Sequence, residues 1–127
     1  MPVEAPPSSS LSILVCEDEP LILSEISDVL RHHGHVVLET MTGTDALTHV
    51  SPSIDVIIAD VSLPDMSGIE LAALARQVAP NIGVIFSTGH RNVPEAGEIS
   101  SAVLLVKPYG EEDIVRTLSI VLGGRTP

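Results

Sequence analysis

The chain has 127 residues, and 17 Asp plus Glu against 6 Lys plus Arg give a formal charge of −11 and a pI of about 4.6. That balance excludes a basic nucleic-acid-binding surface. Apolar residues make up 44% of the sequence, which suffices for one core and is too much for a disordered chain, while the length leaves no room for two packed domains.

Residues 1–10 contain Pro2, Pro6, Pro7 and three serines and cannot repay the entropy of ordering, so a flexible N-terminal tail is expected there. From Leu11 short apolar runs alternate with segments of helical period. The first run, 12–16 (Ser-Ile-Leu-Val-Cys), reads as a strand. After it Pro20 opens a helix with Ile22, Ile26, Val29 and Leu30 on one face, and Gly34 stops it. A second strand at 35–39 and a short helix at 43–50 follow, then a third strand at 55–60. A helix over 67–78 places Leu71, Leu74, Ala75 and Val78 in its buried stripe, with Pro80 beyond its end. The fourth strand covers 82–87. Between it and the fifth strand at 102–106, Pro94 and Gly97 disfavour a helix interior, so the fourth helix is expected to be short, displaced or mobile. The last helix spans about 111–122 with Ile114, Leu118 and Val121 inward, and Gly123-Gly124 ends it.

The strand centres are continuously apolar, as in a parallel sheet covered on both faces. Right-handed crossovers then give an α/β fold: a doubly wound (βα)5 three-layer sandwich over residues 11–123, with 124–127 as a C-terminal tail. The single cysteine, Cys16, excludes an internal disulfide framework and reads as a small buried apolar residue. With no signal-peptide pattern and no apolar stretch approaching about 18 residues, a cytoplasmic protein that does not enter the membrane is expected.

Functional groups of an open parallel sheet collect at the carboxyl ends of its strands. Here the first strand runs into Glu17-Asp18-Glu19, the third ends on Asp60, the fourth leads into Ser87-Thr88-Gly89 and the fifth into Lys107-Pro108. With the sheet order 2-1-3-4-5 three carboxylates meet in one crevice, a costly arrangement without a cation, and Mg²⁺ suits such an oxygen-rich site. Lys107 is the only lysine and stands between an apolar strand and a proline, a poor place for a snorkelling surface residue. Glu19 reads as a first-turn residue favoured by the helix dipole, and Asp65 as a turn residue after Pro64. His32, His33 and His35 read as helix-end histidines, since their spacing matches no tetrahedral metal motif.

These edges together resemble the receiver domain of two-component response regulators, which has a flavodoxin-like fold. The resemblance is carried by Ile-Leu-Val-Cys-Glu-Asp-Glu-Pro, Asp-Val-Ile-Ile-Ala-Asp-Val-Ser-Leu-Pro-Asp-Met-Ser-Gly, Val-Ile-Phe-Ser-Thr-Gly-His and Leu-Leu-Val-Lys-Pro-Tyr, and it covers residues 11–123. It implies that Asp60 is the phosphoryl acceptor and that Glu17, Asp18, Asp60 and the backbone carbonyl of Ser62 hold Mg²⁺. Thr88 would bond the phosphoryl group and Lys107 would be its cationic partner, ahead of a Lys-Pro bond that is typically cis. Ser87 is the alternative hydroxyl; Thr88 is preferred because Gly89 then leaves room beside the phosphoryl group. Ser62 and His90 occupy places that modulate loss of the phosphoryl group in the family. The resemblance further implies self-catalysed phosphorylation and dephosphorylation and no other enzyme activity. The implied partners are a histidine kinase or histidine phosphotransfer protein of a two-component or phosphorelay system and an unknown downstream protein, without direct DNA binding.

The sequence departs from the family pattern at Leu104, where many receivers carry the switch aromatic three residues before the lysine. Only Gly-Gly-Arg-Thr-Pro follows Leu122, so a single-domain receiver is expected, with the excised receiver of a hybrid histidine kinase as the alternative. A degenerate receiver that only binds partners is a second alternative, opposed by the complete set of Glu17, Asp18, Asp60, Thr88 and Lys107. A flavodoxin-type cofactor binder would need a hydroxyl- and glycine-rich loop where Glu17-Asp18-Glu19 stands. A haloacid-dehalogenase-type phosphatase would need an aspartate where Ser62 stands.

Overall fold

The computed structural model describes residues 10–123; residues 1–9 and 124–127, on which most of the two expected tails fall, lie outside the described residues. Ser10 is described, and its hydroxyl donates to the Gly34 carbonyl (2.9 Å). Five strands, β1 (Ser12–Cys16), β2 (Val36–Thr40), β3 (Val56–Asp60), β4 (Gly83–Thr88) and β5 (Val103–Val106), form one parallel sheet in the order β2-β1-β3-β4-β5. Four helices cover it: α1 (Pro20–His32), α2 (Gly43–His49), α3 (Gly68–Val78) and α4 (Glu111–Val121). Each predicted strand is found within one residue of its expected bounds.

Two apolar layers sandwich the sheet. On one side Ile13, Val15, Ile58, Ile85 and Leu105 meet Ile26 and Leu30 of α1 and Ile114 and Leu118 of α4. On the other Leu14, Ile57, Val84 and Phe86 meet Ala46 of α2 and Leu71 and Ala72 of α3. The central strands β3 and β4 are buried at every residue, which is why their sequences are apolar without alternation.

Local chemistry sets the helix limits. Pro20 occupies the first turn of α1, and Gly34 ends it in the left-handed region at φ 91°, where a side chain would be strained. Thr42 and Ser67 cap α2 and α3 by accepting the Asp45 and Glu70 amides (3.1 and 3.0 Å). The carboxylate of Asp113 accepts the Gly110 amide (2.9 Å) at the start of α4.

One expectation is corrected and another is extended. The buried face of α3 is rotated from the predicted stripe: Gly68, Ile69, Leu71, Ala72 and Ala75 face the sheet, Leu74 is half-buried and Val78 is 48% exposed. Small residues decide this, because they let the helix backbone approach the sheet closely; a Cβ at Gly68 would fall on the Asp60 carbonyl oxygen. In α4, Ile114, Leu118 and the half-buried Val121 face the core as expected, and Thr117 is buried as well, because its hydroxyl donates to the Asp113 and Ile114 carbonyls and needs no solvent. The β4–β5 connection holds a 3-10 helix, Pro94–Glu98, with no buried residue, in place of a fourth α-helix. Its C-terminal side is tied to α3 through Arg76, which donates to the Ser100 carbonyl (3.0 Å) and hydroxyl (3.2 Å) and to the Ile82 carbonyl (2.9 Å).

Candidate functional site

The sheet order places the carboxyl ends of β1 and β3 side by side, and the polar residues gather there. Asp60 is the last residue of β3 and is 8% exposed. Its Oδ1 accepts the Ser62 amide (2.8 Å) and its Oδ2 accepts a proton of Lys107 Nζ (3.0 Å). Lys107 follows β5, and its own amide donates to the Thr88 carbonyl (2.7 Å), so the backbone that carries the ammonium is fixed to β4. The Lys107–Pro108 bond is cis.

Glu17 stands one residue past β1, its amide held by the Thr40 carbonyl (3.0 Å). Its side chain is 1% exposed. Oε2 accepts the Glu19 amide (3.1 Å), whereas Oε1 has no hydrogen-bond partner and lies 3.5 Å from Lys107 Nζ. Glu19 itself is the N-cap of α1 and makes no side-chain cap bond. Asp18 is exposed, and one carboxylate oxygen each from Glu17, Asp18 and Asp60 lie within 4.8 Å of one another. Among the described residues this is the one such grouping of acids, histidines or cysteines.

Burial pushes the Glu17 carboxyl up from 4.5 to about 7, reinforced by the Asp60 charge and opposed by the Glu19 amide and the Lys107 ammonium. Partial burial pulls Lys107 down, but its hydrogen bond to Asp60 and the charges of Asp60 and Glu17 outweigh this, and the net shift is upward. The ammonium is therefore firmly charged, while one buried carboxylate beside it is poorly compensated. A buried carboxylate oxygen with no hydrogen bond and only a 3.5 Å ion pair to Lys107 is what a hard divalent cation would satisfy.

Thr88 ends β4, is 4% exposed, and its hydroxyl oxygen accepts the His90 amide (3.0 Å). Gly89 and His90 are exposed beyond it. An open cleft of about 410 Å³ at the sheet edge is lined by Asp60, Ser62, Thr88, His90, Glu95 and Lys107. Ser87, the alternative hydroxyl, is 1% exposed and is engaged by the Tyr109 hydroxyl (3.2 Å). Leu104 is half-buried in the layer that holds Phe86, its register partner on β4.

Other expected features fall outside this cluster. His33 pairs with Glu111 (2.8 Å) and His35 Nδ1 accepts the Leu11 amide (3.1 Å), which gives the helix-end histidines structural partners. Cys16 is buried and free, and burial raises its thiol to about 11. Sequence reasoning missed two residues. Asp65 is more than a turn residue: its carboxylate accepts the Gly43 amide (2.9 Å) and the Thr44 amide (2.8 Å) and hydroxyl (2.6 Å), so it caps α2 from 21 residues away. The Thr44 hydroxyl and these amides hold Asp65 down at about 2. Tyr109 joins Ser87, and no local sequence signal marks that pair.

Fold and pocket define a doubly wound parallel α/β domain with an acidic crevice, into which one lysine reaches, at the carboxyl edge of its sheet. The chain belongs to the response regulator receiver domain family, whose model matches residues 13–119. It is 33% identical over 114 residues to the positive alginate biosynthesis regulatory protein of Pseudomonas aeruginosa, covering 85% of this chain and 46% of that protein. It is 27% identical over 124 residues to the sensor kinase CckA of Brucella abortus, covering 91% of this chain and 13% of that protein. The chain thus spans less than half the length of these curated relatives. Among solved structures it resembles the chemotaxis response regulator CheY4 of Vibrio cholerae, with a TM-score of 0.81 at 26% identity over 88% of this chain and 98% of that one. It also resembles a receiver domain protein of Clostridium thermocellum, with a TM-score of 0.79 at 30% identity over 89% of this chain and 94% of that one. Receiver domains are the phosphoacceptor modules of two-component signalling, and no described helix is long and apolar enough to cross a membrane.

Proposed function

We propose that this domain takes a phosphoryl group from a histidine kinase or phosphotransfer histidine onto Asp60 and thereby switches its protein contacts. The observation that carries this reading is the contact of Lys107 Nζ with Asp60 Oδ2 at 3.0 Å beside the buried Glu17 Oε1, which makes no hydrogen bond.

A carboxylate oxygen of Asp60 attacks phosphorus, the bond from phosphorus to the donor's imidazole nitrogen breaks, and the electron pair leaves with the imidazole. Phosphoryl transfer of this kind is catalysed chiefly by position and charge. Asp60 is already oriented, since the Ser62 amide and the Lys107 ammonium each hold one oxygen. Lys107 also neutralises charge on the incoming phosphoryl oxygens. Glu17, Asp18, Asp60 and the Ser62 carbonyl are the groups that would hold Mg²⁺, and the bound ion would supply further neutralisation of those oxygens. Thr88 can turn its hydroxyl to the phosphoryl group by giving up the His90 amide, which couples the site to the segment after β4. Ser62 and His90 flank the cleft and are assigned to the control of hydrolysis.

The three carboxylates and Lys107 account for −2 of the chain's −11, so −9 is spread over the rest. That supports a protein partner over direct DNA binding, and the reaction carries a cytoplasmic location with it. The test is incubation with acetyl phosphate and Mg²⁺ followed by intact mass. A gain of one phosphoryl group, absent in Asp60→Asn and with EDTA, is expected. No gain from acetyl phosphate or from any histidine kinase would leave only a partner-binding module.

A further inference from the structure

Tyr109 lies two residues beyond Lys107 and packs against the core shared by α1 and α4. Its hydroxyl meets Ser87 Oγ at 3.2 Å, and Ser87 is 1% exposed. Two apolar side chains could fill these places at little cost in stability, so packing alone does not call for the hydroxyl pair. Ser87 is also central to the site's frame. It is the register partner of Asp60 on one side and of Leu105 on the other, and its carbonyl accepts the Val61 amide (3.1 Å).

The turn that bears the ammonium is consequently tied to β4 twice. At its start the Lys107 amide donates to the Thr88 carbonyl (2.7 Å). At its end the Tyr109 hydroxyl joins the Ser87 side chain. Between the two ties the Lys107 side chain crosses to Asp60 and Glu17. A lysine has a flexible four-carbon stem, so the place of its Nζ depends on how firmly its backbone is held. The Lys107 side chain is 26% exposed, so its surroundings do not by themselves confine it.

We propose that the Ser87–Tyr109 pair is a positioning device for the phosphoryl-transfer reaction, holding the Lys107 turn against β4 so that the ammonium stays on Asp60. The proposal rests on the roles given to Asp60 and Lys107 under the proposed function. Neither Ser87 nor Tyr109 touches the phosphoryl group; both act through Lys107.

The test uses Tyr109→Phe, Ser87→Ala and the double variant in the full chain. Because Lys107 is the only lysine, isotope-labelled lysine gives a single side-chain resonance that reports its surroundings directly. Both single variants are expected to shift that resonance. They are also expected to slow phosphorylation by acetyl phosphate with Mg²⁺ by about three- to tenfold, the span of one neutral hydrogen bond's net contribution. The double variant should be no slower than either single one. Its resistance to denaturant should return toward wild type, because neither partner is left unpaired, while its lysine resonance and rate should not recover. An unchanged lysine resonance in all three, or a rate that recovers together with stability, would show the pair to be packing only and overturn the proposal. If Ser87→Ala fails to fold, Tyr109→Phe keeps the ring and carries the test alone. If the wild-type protein takes no phosphoryl group, the proposed function fails, and the lysine resonance by itself decides for or against the pair.

Discussion

Removing the buried charge of Glu17 should stabilise the metal-free protein. The carboxyl is 1% exposed and burial moves it from 4.5 to about 7, so the folded state holds this proton more tightly than the unfolded chain does. Stability is then greatest below the unfolded value of 4.5, falls as pH rises through about 7, and carries the full cost of the buried charge above that. Between 4.5 and about 7 the cost amounts to about 3 kcal/mol at roughly 1.4 kcal/mol per unit. Glu17→Gln keeps an oxygen for the Glu19 amide and deletes the charge. At pH 8 without divalent ions it should be more stable than wild type by about 1–3 kcal/mol, and its stability should lose the decline between pH 5 and 8. Mg²⁺ should restore wild type and do little for the variant. The assay is urea denaturation followed by far-ultraviolet circular dichroism, because the chain has no Trp and one Tyr. The reasoning fails if Glu17→Gln is no more stable than wild type at pH 8, or if Mg²⁺ stabilises both equally.

Asp65→Ala should destabilise the protein at neutral pH and speed amide exchange at Gly43 and Thr44, whose amides lose their acceptor. Because the Asp65 carboxyl is held down at about 2, the difference from wild type should be full above its ordinary value and vanish as pH falls through about 2; exchange measured as a function of pH checks this. His90→Ala should lengthen the acyl-phosphate lifetime several-fold if the imidazole orients or deprotonates the attacking water, and an unchanged lifetime removes His90 from the reaction. Beryllofluoride should increase amide protection within residues 91–101 as the segment orders, while the His90 amide, released by Thr88, should lose it; protection confined to α4 would contradict that coupling.

Most of the fold could be read from the chain because its signals are local. Five apolar runs of four to six residues alternate with segments of helical period, two of which are stopped by glycine at Gly34 and Gly123, and this leaves few arrangements open. The β4–β5 connection was also legible, since Pro94 and Gly97 oppose an α-helix and a 3-10 helix is what forms. The buried face of α3 was misread because hydrophobicity ranks Leu74 and Val78 above Gly68 and Ala72, whereas close backbone approach to Asp60 selects the small residues. At the crevice, Glu17, Asp18, Asp60 and Lys107 come together because strand order alone makes them neighbours. Asp65 and Tyr109 were not legible, as their partners lie about twenty residues away and no periodicity connects them.

The central claim is that Asp60 carries the phosphoryl group. After incubation with acetyl phosphate and Mg²⁺, borohydride reduction converts an acyl phosphate into an alcohol and marks the residue that bore it. Peptide mass mapping should find homoserine at position 60 and unmodified aspartate at 18 and 65. Homoserine at another position, or none in a sample shown to carry phosphoryl groups, would contradict the account.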